Sequence, residues 1–195
     1  MGQPTKPPRR AARPSPRRAA RPRTPPPLAP VRGLLFITGA TGAVGEELLE
    51  RYLASGGDGQ IRVLVRGGSP EEAEAKWKAL LAGCRSWSAT HAARVRMVVG
   101  DVTAAAGLGL SEADRSELQR EATRIVHSAA NTKFSARLED ALAANTAGTE
   151  NVLDFAARCR KIERMAFIST VYVAGKRTGR ILEPQLEHEA GFVNA

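Results

Sequence analysis

Residues 33–195 predict an α/β fold with a doubly wound parallel sheet of about five strands. Two observations carry this. Apolar runs too short for helices, such as Leu34–Thr38, Ile61–Val65 and Val95–Val99, alternate with longer stretches whose apolar residues recur at helical spacing. The first run also leads into Gly39, Gly42 and Gly45, spaced G-x-x-G-x-x-G, with a helical pattern starting at once behind them.

Strand, tight glycine turn and helix start is the arrangement with which a Rossmann-type fold holds a dinucleotide diphosphate. Gly39 allows the turn, Gly42 lets backbone N–H groups approach the phosphates, and Gly45 lets the helix pack close to the strand. The helix N-terminus adds unpaired donors and partial positive charge. Thr38, Gly39, Thr41, Gly42, Ala43, Val44 and Gly45 are therefore the candidate phosphate-binding set. The helix behind them is expected to bury Val44, Leu48 and Tyr52, with Glu46, Glu47, Glu50 and Arg51 off that stripe.

The second strand, Ile61–Val65, ends at Arg66. This is about twenty residues past the glycines, where an NAD enzyme places an acid for the ribose hydroxyls. An arginine there, with no acid beside it, suits a 2′-phosphate, so NADP is favoured and NAD is the alternative. Ser69-Pro70-Glu71-Glu72 opens the next helix with a capping serine, a proline in the first turn and two acids. Ala73, Trp77, Leu80 and Leu81 form its apolar face, Trp77 reads as core, and Gly83 ends it. Residues 84–93 read as an irregular connection with a solvated His91.

Val95–Val99 is the third strand, with Asp101 and Val102 at its exit. The Asp101 carboxylate can accept from an adenine amine, while the Val102 N–H pairs a ring nitrogen. A short capped helix from Ser111 to Glu121 leads to the fourth strand, which begins at Arg124 and exits through the small residues Ala129 and Ala130. These let ribose and nicotinamide lie close to backbone, and His127 reads as packed rather than catalytic. A long helix from about Arg137 to Arg160 places Leu138, Leu142, Asn145, Thr149, Val152, Phe155 and Ala156 on one stripe. Asn145 needs a partner there, from either a cofactor-side network or a neighbouring loop carbonyl. The fifth strand, Arg164–Ile168, ends in Ser169 and Thr170, whose hydroxyls face the ligand crevice beyond the strand ends.

Residues 1–32 are rich in Pro, Arg and Ala, hold ten of the twelve prolines and no acid, and read as a disordered basic tail. Nine of the 29 Lys and Arg lie there, which leaves 20 against 20 Asp and Glu in residues 33–195. The net charge of +9 thus belongs to the tail, and nucleic-acid binding by the domain is disfavoured. A linker, a basic arm, an organelle-targeting sequence and a plain solvated tail all fit the segment. Cys84 and Cys159 have no metal-ligand spacing, and no metal is expected. No apolar run approaches the length of a membrane span. A reduced, cytoplasmic chain is the expectation.

Taken in order, Thr38-Gly39-x-x-Gly42-x-x-Gly45, Arg66, Gly100-Asp101-Val102, His127-Ser128-Ala129-Ala130, Asn145-x-x-Gly148-Thr149 and Ser169-Thr170-Val171-Tyr172-Val173-Ala174-Gly175 resemble the extended short-chain dehydrogenase/reductase superfamily. The last segment, continuing to Gly179, is similar to its thioester reductase and fatty acyl-CoA reductase branch, with a male-sterility-type NAD(P)-binding domain. The resemblance covers about residues 33–195.

The resemblance implies NADPH-dependent reduction of an acyl-CoA or a carrier-bound acyl chain to aldehyde or alcohol, with an upstream carrier or adenylation domain as a candidate partner. It implies that Thr170, with Ser169 as the fallback, bonds the substrate carbonyl. It also implies a Tyr-x-x-x-Lys pair beyond a segment resembling Gly191–Ala195, so the chain reads as the N-terminal portion of a reductase that turns over nothing alone. Tyr172 and Lys176 have the spacing but not a helical context. Ending after the fifth strand leaves a sheet edge open and predicts poor solubility. The alternatives are an extended-family epimerase, dehydratase or reductase acting on a nucleotide sugar or other carbonyl compound, and a non-catalytic NAD(P)-binding sensor.

Overall fold

The computed structural model describes residues 28–185 and 187–192. The expectation of a disordered tail falls mostly on residues 1–27, outside the described residues. Its last residues are part of the fold: Val31 is buried, and its carbonyl accepts from the Gly59 amide at 3.1 Å.

Five strands form one parallel sheet: β1 (Leu34–Thr38), β2 (Gln60–Val65), β3 (Val95–Val99), β4 (Ala122–His127) and β5 (Arg164–Phe167), in the spatial order β3-β2-β1-β4-β5. The order reverses at β1, where the chain winds outward first to β2 and β3 and then, on the other side, to β4 and β5. Parallel neighbours need crossovers, and helices supply them. These are α1 (Ala43–Ala54), α2 (Pro70–Gly83), α3 (Glu112–Glu121), and α4 (Leu138–Leu142) continued through a π-helical turn (Ala143–Ala147) into α5 (Gly148–Ala157).

Alternation along β1 sorts the core into two layers, because successive side chains point to opposite faces. Leu35 and Ile37 pack with Leu49 and Leu53 of α1 and with Ala73, Trp77 and Leu80 of α2. Leu34 and Phe36 pack on the other face with Leu118 of α3 and with Val152 and Phe155 of α5. Cys84 belongs to the first layer and Cys159 to the second, so the sheet separates the two thiols.

Three expectations are corrected. Along α1 the fully buried positions are Gly45, Leu49 and Leu53, one residue on from the expected stripe; Leu48 and Tyr52 are half-buried against the same layer, and Val44 is 55% exposed. Contact of Gly45 with the turn at the end of β1 sets this rotation. The long helix is interrupted by the π turn, which takes up an extra residue and shifts the register. Val152, Phe155 and Ala156 are buried as expected, while Leu138 and Leu142 before the turn are exposed. His91 is half-buried rather than solvated: it accepts from the Ser88 amide at 3.2 Å and stacks on Trp87.

A charge also sits inside. Arg62, on β2, is buried on the α3 face and forms an ion pair with Glu117 at 2.6 Å. Glu117 binds Arg96 of β3 as well, and Arg96 pairs with Asp114 at 2.8 Å. The strand's period required a buried side chain at position 62, and α3 supplies the countercharge that burial demands.

Candidate cofactor site

The carboxyl ends of all five parallel strands lie along one edge of the sheet, and the expected site residues follow them in sequence. At the end of β1, Gly39 has φ +76°, and a Cβ there would lie 2.3 Å from the Ala129 amide nitrogen, so the exits of β1 and β4 touch main chain to main chain. A Cβ on Gly45 would lie 2.2 Å from the Gly39 carbonyl oxygen. Gly42 differs from both. A Cβ there would meet only the Gly39 carbonyl, at an ordinary 3.5 Å, and the space beyond is open.

Gly42 is also the N-cap of α1, and no side chain caps that helix. Its carbonyl accepts from Glu46, while Thr41, Gly42, Ala43 and Val44 are exposed. The helix start therefore presents unpaired backbone donors and its positive pole to an open cradle with no side chain in the way. Such a cradle fits a diphosphate.

Thr38 is the one member of the expected set that turns inward. It is fully buried, its hydroxyl lies 2.7 Å from His127 Nδ1, and its carbonyl accepts from the Ser128 amide and hydroxyl.

At the β2 and β3 exits, the exposed Arg66 has Nη1 4.0 Å from Asp101 Oδ2. Asp101 Oδ1 accepts from the Thr103 amide at 2.9 Å, and the Asp101 amide donates to Leu108 at 2.8 Å. Leu108 holds φ +62°, a left-handed conformation unfavourable for a leucine, with its side chain wholly buried. Burial of that side chain and the bond to Asp101 hold it there. Val102 is buried, its carbonyl accepts from Asn151 Nδ2, and among the described residues nothing accepts from its amide.

At the β4 exit, Ala129 is half-buried and Ala130 exposed. The next residue, Asn131, is gripped by Asn145 from the π turn: its amide donates to Asn145 Oδ1 at 2.7 Å, and its carbonyl accepts from Nδ2 at 3.0 Å. Of the two partners left open for Asn145, the loop backbone is the one observed. At the β5 exit, Ser169 and Thr170 are both exposed. Thr170 Oγ1 accepts from the Tyr172 amide at 3.2 Å, which leaves its own proton free to donate. Tyr172 stands in a one-turn 3₁₀ segment ended by Gly175 at φ +61°, so Tyr172 and Lys176 do not share a helix face. Its ring meets Phe134 of the β4 exit loop edge-to-face, with centroids 5.9 Å apart.

His127 is packed, as its strand position implied, and stacks on Phe167 at 5.4 Å. Burial pushes its pKa below the usual histidine value. Its Nε2 lies 3.2 Å from Thr149 Oγ1, a contact that no local spacing could reveal, since Thr149 is 22 residues away. Among the described residues no cluster of His, Cys, Asp and Glu could hold a metal ion, and no helix is long and apolar enough to cross a membrane.

A family model described as male sterility protein, an NAD-binding domain, matches residues 37–191. The chain belongs to that family. It is 33% identical over 160 residues to fatty acyl-CoA reductase 2, chloroplastic, of Arabidopsis thaliana, covering 76% of this chain and 26% of the relative. It is 30% identical over 162 residues to the alcohol-forming fatty acyl-CoA reductase of Simmondsia chinensis, covering 76% of this chain and 33% of the relative. The chain thus spans a quarter to a third of these family members. The crystal structure of the terminal R domain from the myxalamid PKS-NRPS biosynthetic pathway superposes with a TM-score of 0.69 at 31% identity, over 86% of this chain and 43% of that one. The reductase domain of a non-ribosomal peptide synthetase from Mycobacterium tuberculosis gives a TM-score of 0.62 at 27% identity, over 76% of this chain and 36% of that one. These structures share the doubly wound fold, and the family is an NAD-binding one.

Proposed function

We propose that this chain binds NADPH and serves the reduction of an acyl thioester, either acyl-CoA or a carrier-bound acyl chain, to an aldehyde or alcohol. The observation that carries the cofactor assignment is the uncapped start of α1 behind Gly42, where a Cβ would face open space on the carboxyl edge of the sheet. Its first-turn amides would hold the diphosphate. Arg66, 4.0 Å from Asp101 and otherwise exposed, would take the 2′-phosphate, with Asp101 and the Val102 amide turned to the adenine. Ala129 and Ala130 would lie against the ribose and nicotinamide. Bound NADPH supplies the hydride. Thr170, its oxygen already held by the Tyr172 amide, would donate to the substrate carbonyl where negative charge develops, with Ser169 the neighbouring hydroxyl.

The fatty acyl-CoA reductase relatives support acyl-CoA as the thioester, and the R-domain structures support a carrier-bound chain with an upstream carrier or adenylation domain. Calorimetric titration with NADPH and NADH tests the cofactor assignment: saturable NADPH binding is expected, and its absence from a folded preparation overturns it. The reaction is tested by placing residues 33–192 into the Arabidopsis reductase in place of its matching segment. The chimera is expected to reduce acyl-CoA, with activity at least ~100-fold lower after Thr170→Val in this segment. An active Thr170→Val chimera would remove that residue from the mechanism.

A further inference from the structure

We propose that His127 is a positioning residue that, as the neutral Nε2–H tautomer, ties the loop after β4 to the end of β1 through an ordered chain of hydrogen bonds. The direction of each bond follows from counting protons. Thr149 Oγ1 lies 2.7 Å from the Asn145 carbonyl oxygen, which can only accept, so the single hydroxyl proton of Thr149 is committed there. The 3.2 Å contact between His127 Nε2 and the same hydroxyl oxygen therefore requires that Nε2 carry a proton and donate. With Nε2 protonated in a neutral ring, Nδ1 is the acceptor, and the Thr38 hydroxyl donates to it at 2.7 Å. Burial of the ring beneath Phe167 disfavours the imidazolium and keeps this pattern in place.

The chain does not stop at Thr149. It enters the π turn at the Asn145 carbonyl, and the Asn145 side chain closes on both main-chain polar groups of Asn131. At its other end, the Thr38 carbonyl accepts from the amide and hydroxyl of Ser128, next to His127. The residue beginning the glycine turn and the residue beginning the β4 exit loop are thus held by one network in which every hydroxyl and ring proton has an assigned acceptor. In such networks the loss of one link loosens the others. That these two segments border the cofactor rests on the reading above; the bond pattern itself does not.

Three readouts on the whole chain separate these levels. In ¹⁵N-histidine NMR at pH 7, His127 is expected to show a protonated Nε2 and an unprotonated Nδ1. An Nδ1–H tautomer or a charged ring overturns the proposal, without need of any variant. Amide exchange at Asn131 is then compared in the unaltered chain, Thr149→Val and Thr149→Ser. Valine keeps the shape but deletes the link, so exchange at Asn131 should quicken ~10-fold or more, with serine restoring it. Unchanged exchange in Thr149→Val overturns the proposal, and should valine prevent folding, Thr149→Ala, which deletes the same hydroxyl, replaces it with the same expectation. NADPH affinity is measured on the same samples. Thr149→Val is expected to weaken it ~10-fold, and equal affinity despite a loosened Asn131 overturns the positioning role. A chain that binds no NADPH yet shows the expected tautomer and exchange refutes the cofactor reading and leaves the link standing.

Discussion

Gly39 and Ala129 meet so closely that a methyl group on the first would sit 2.3 Å from the amide nitrogen of the second. They stand at the ends of β1 and β4, the two strands between which the sheet's winding changes direction. A ligand crevice opens beyond strand ends at such a point, and here its floor is main chain on both sides.

Gly39 and Gly42 of the turn should therefore fail in different ways. Gly39→Ala is expected to destabilise the fold by about 3 kcal/mol or more, since a positive φ and a main-chain clash coincide. Gly42→Ala should leave the melting temperature within about 2 °C, because its φ of −96° suits alanine and the space around it is open. The same substitution should weaken NADPH binding at least ~10-fold by filling the cradle. Thermal melts and titrations on the two variants check both statements.

Arg66→Asp should raise the NADPH dissociation constant by about 10- to 100-fold while leaving NADH binding within about threefold, as expected for loss of a charge-assisted phosphate contact. Equal losses for both nucleotides would place Arg66 outside 2′-phosphate recognition.

Acid should loosen the α3 face. The Glu117 carboxyl ionises below its usual value, chiefly because Arg62 donates to it, against the opposing effect of burial. For Asp114 burial acts upward, but the Ser111 hydroxyl and Arg96 outweigh it and hold its pKa low as well. A carboxylate with a depressed folded-state pKa adds stability above its unfolded value and gives it up as pH falls through the folded one. Denaturation midpoints should hold from pH 7 down to about 5 and fall steeply below about 4.5. Glu117→Gln should cost about 2 kcal/mol at pH 7, because Arg62 keeps its charge in the interior, and should flatten the decline in acid.

Both thiols should be inert in the folded chain. Burial pushes Cys159 up to about 11 and raises Cys84 too, with Glu50 and Glu46 adding to the latter. Alkylation at pH 8 should be at least ~10-fold slower than in denaturant, and oxidation should not join the two within one molecule, since they lie on opposite faces of the sheet.

Periodicity and strand-exit chemistry made most of the fold legible in advance. The strand positions, the crossover helices and the residues at the strand exits all follow from short-range pattern, and Trp77 settled into the core as its spacing implied. What stayed hidden depends on contacts between distant segments. Arg62, set among apolar neighbours in β2, finds its countercharge in Glu117 of α3, 55 residues on. Thr38 looked like part of the phosphate turn, yet its hydroxyl is taken by His127, 89 residues away. The displaced stripe of α1 and the π turn escaped for a related reason. In α1 the period is regular but the contact of Gly45 with the Gly39 carbonyl sets which face turns inward, and in the π turn an extra residue breaks the 3.6-residue period that any such pattern assumes.

That extra residue has a geometric meaning. Removing one position, say Ala144, would let α4 run straight into α5 with every backbone bond in its ordinary place, and in local terms the helix would gain. The same deletion would swing the segment before it about 100° around the axis relative to the segment behind. The exposed Leu138 and Leu142 would turn with it, so the blemish in the spiral is the offset that lets a single rod present one face before the turn and another behind it.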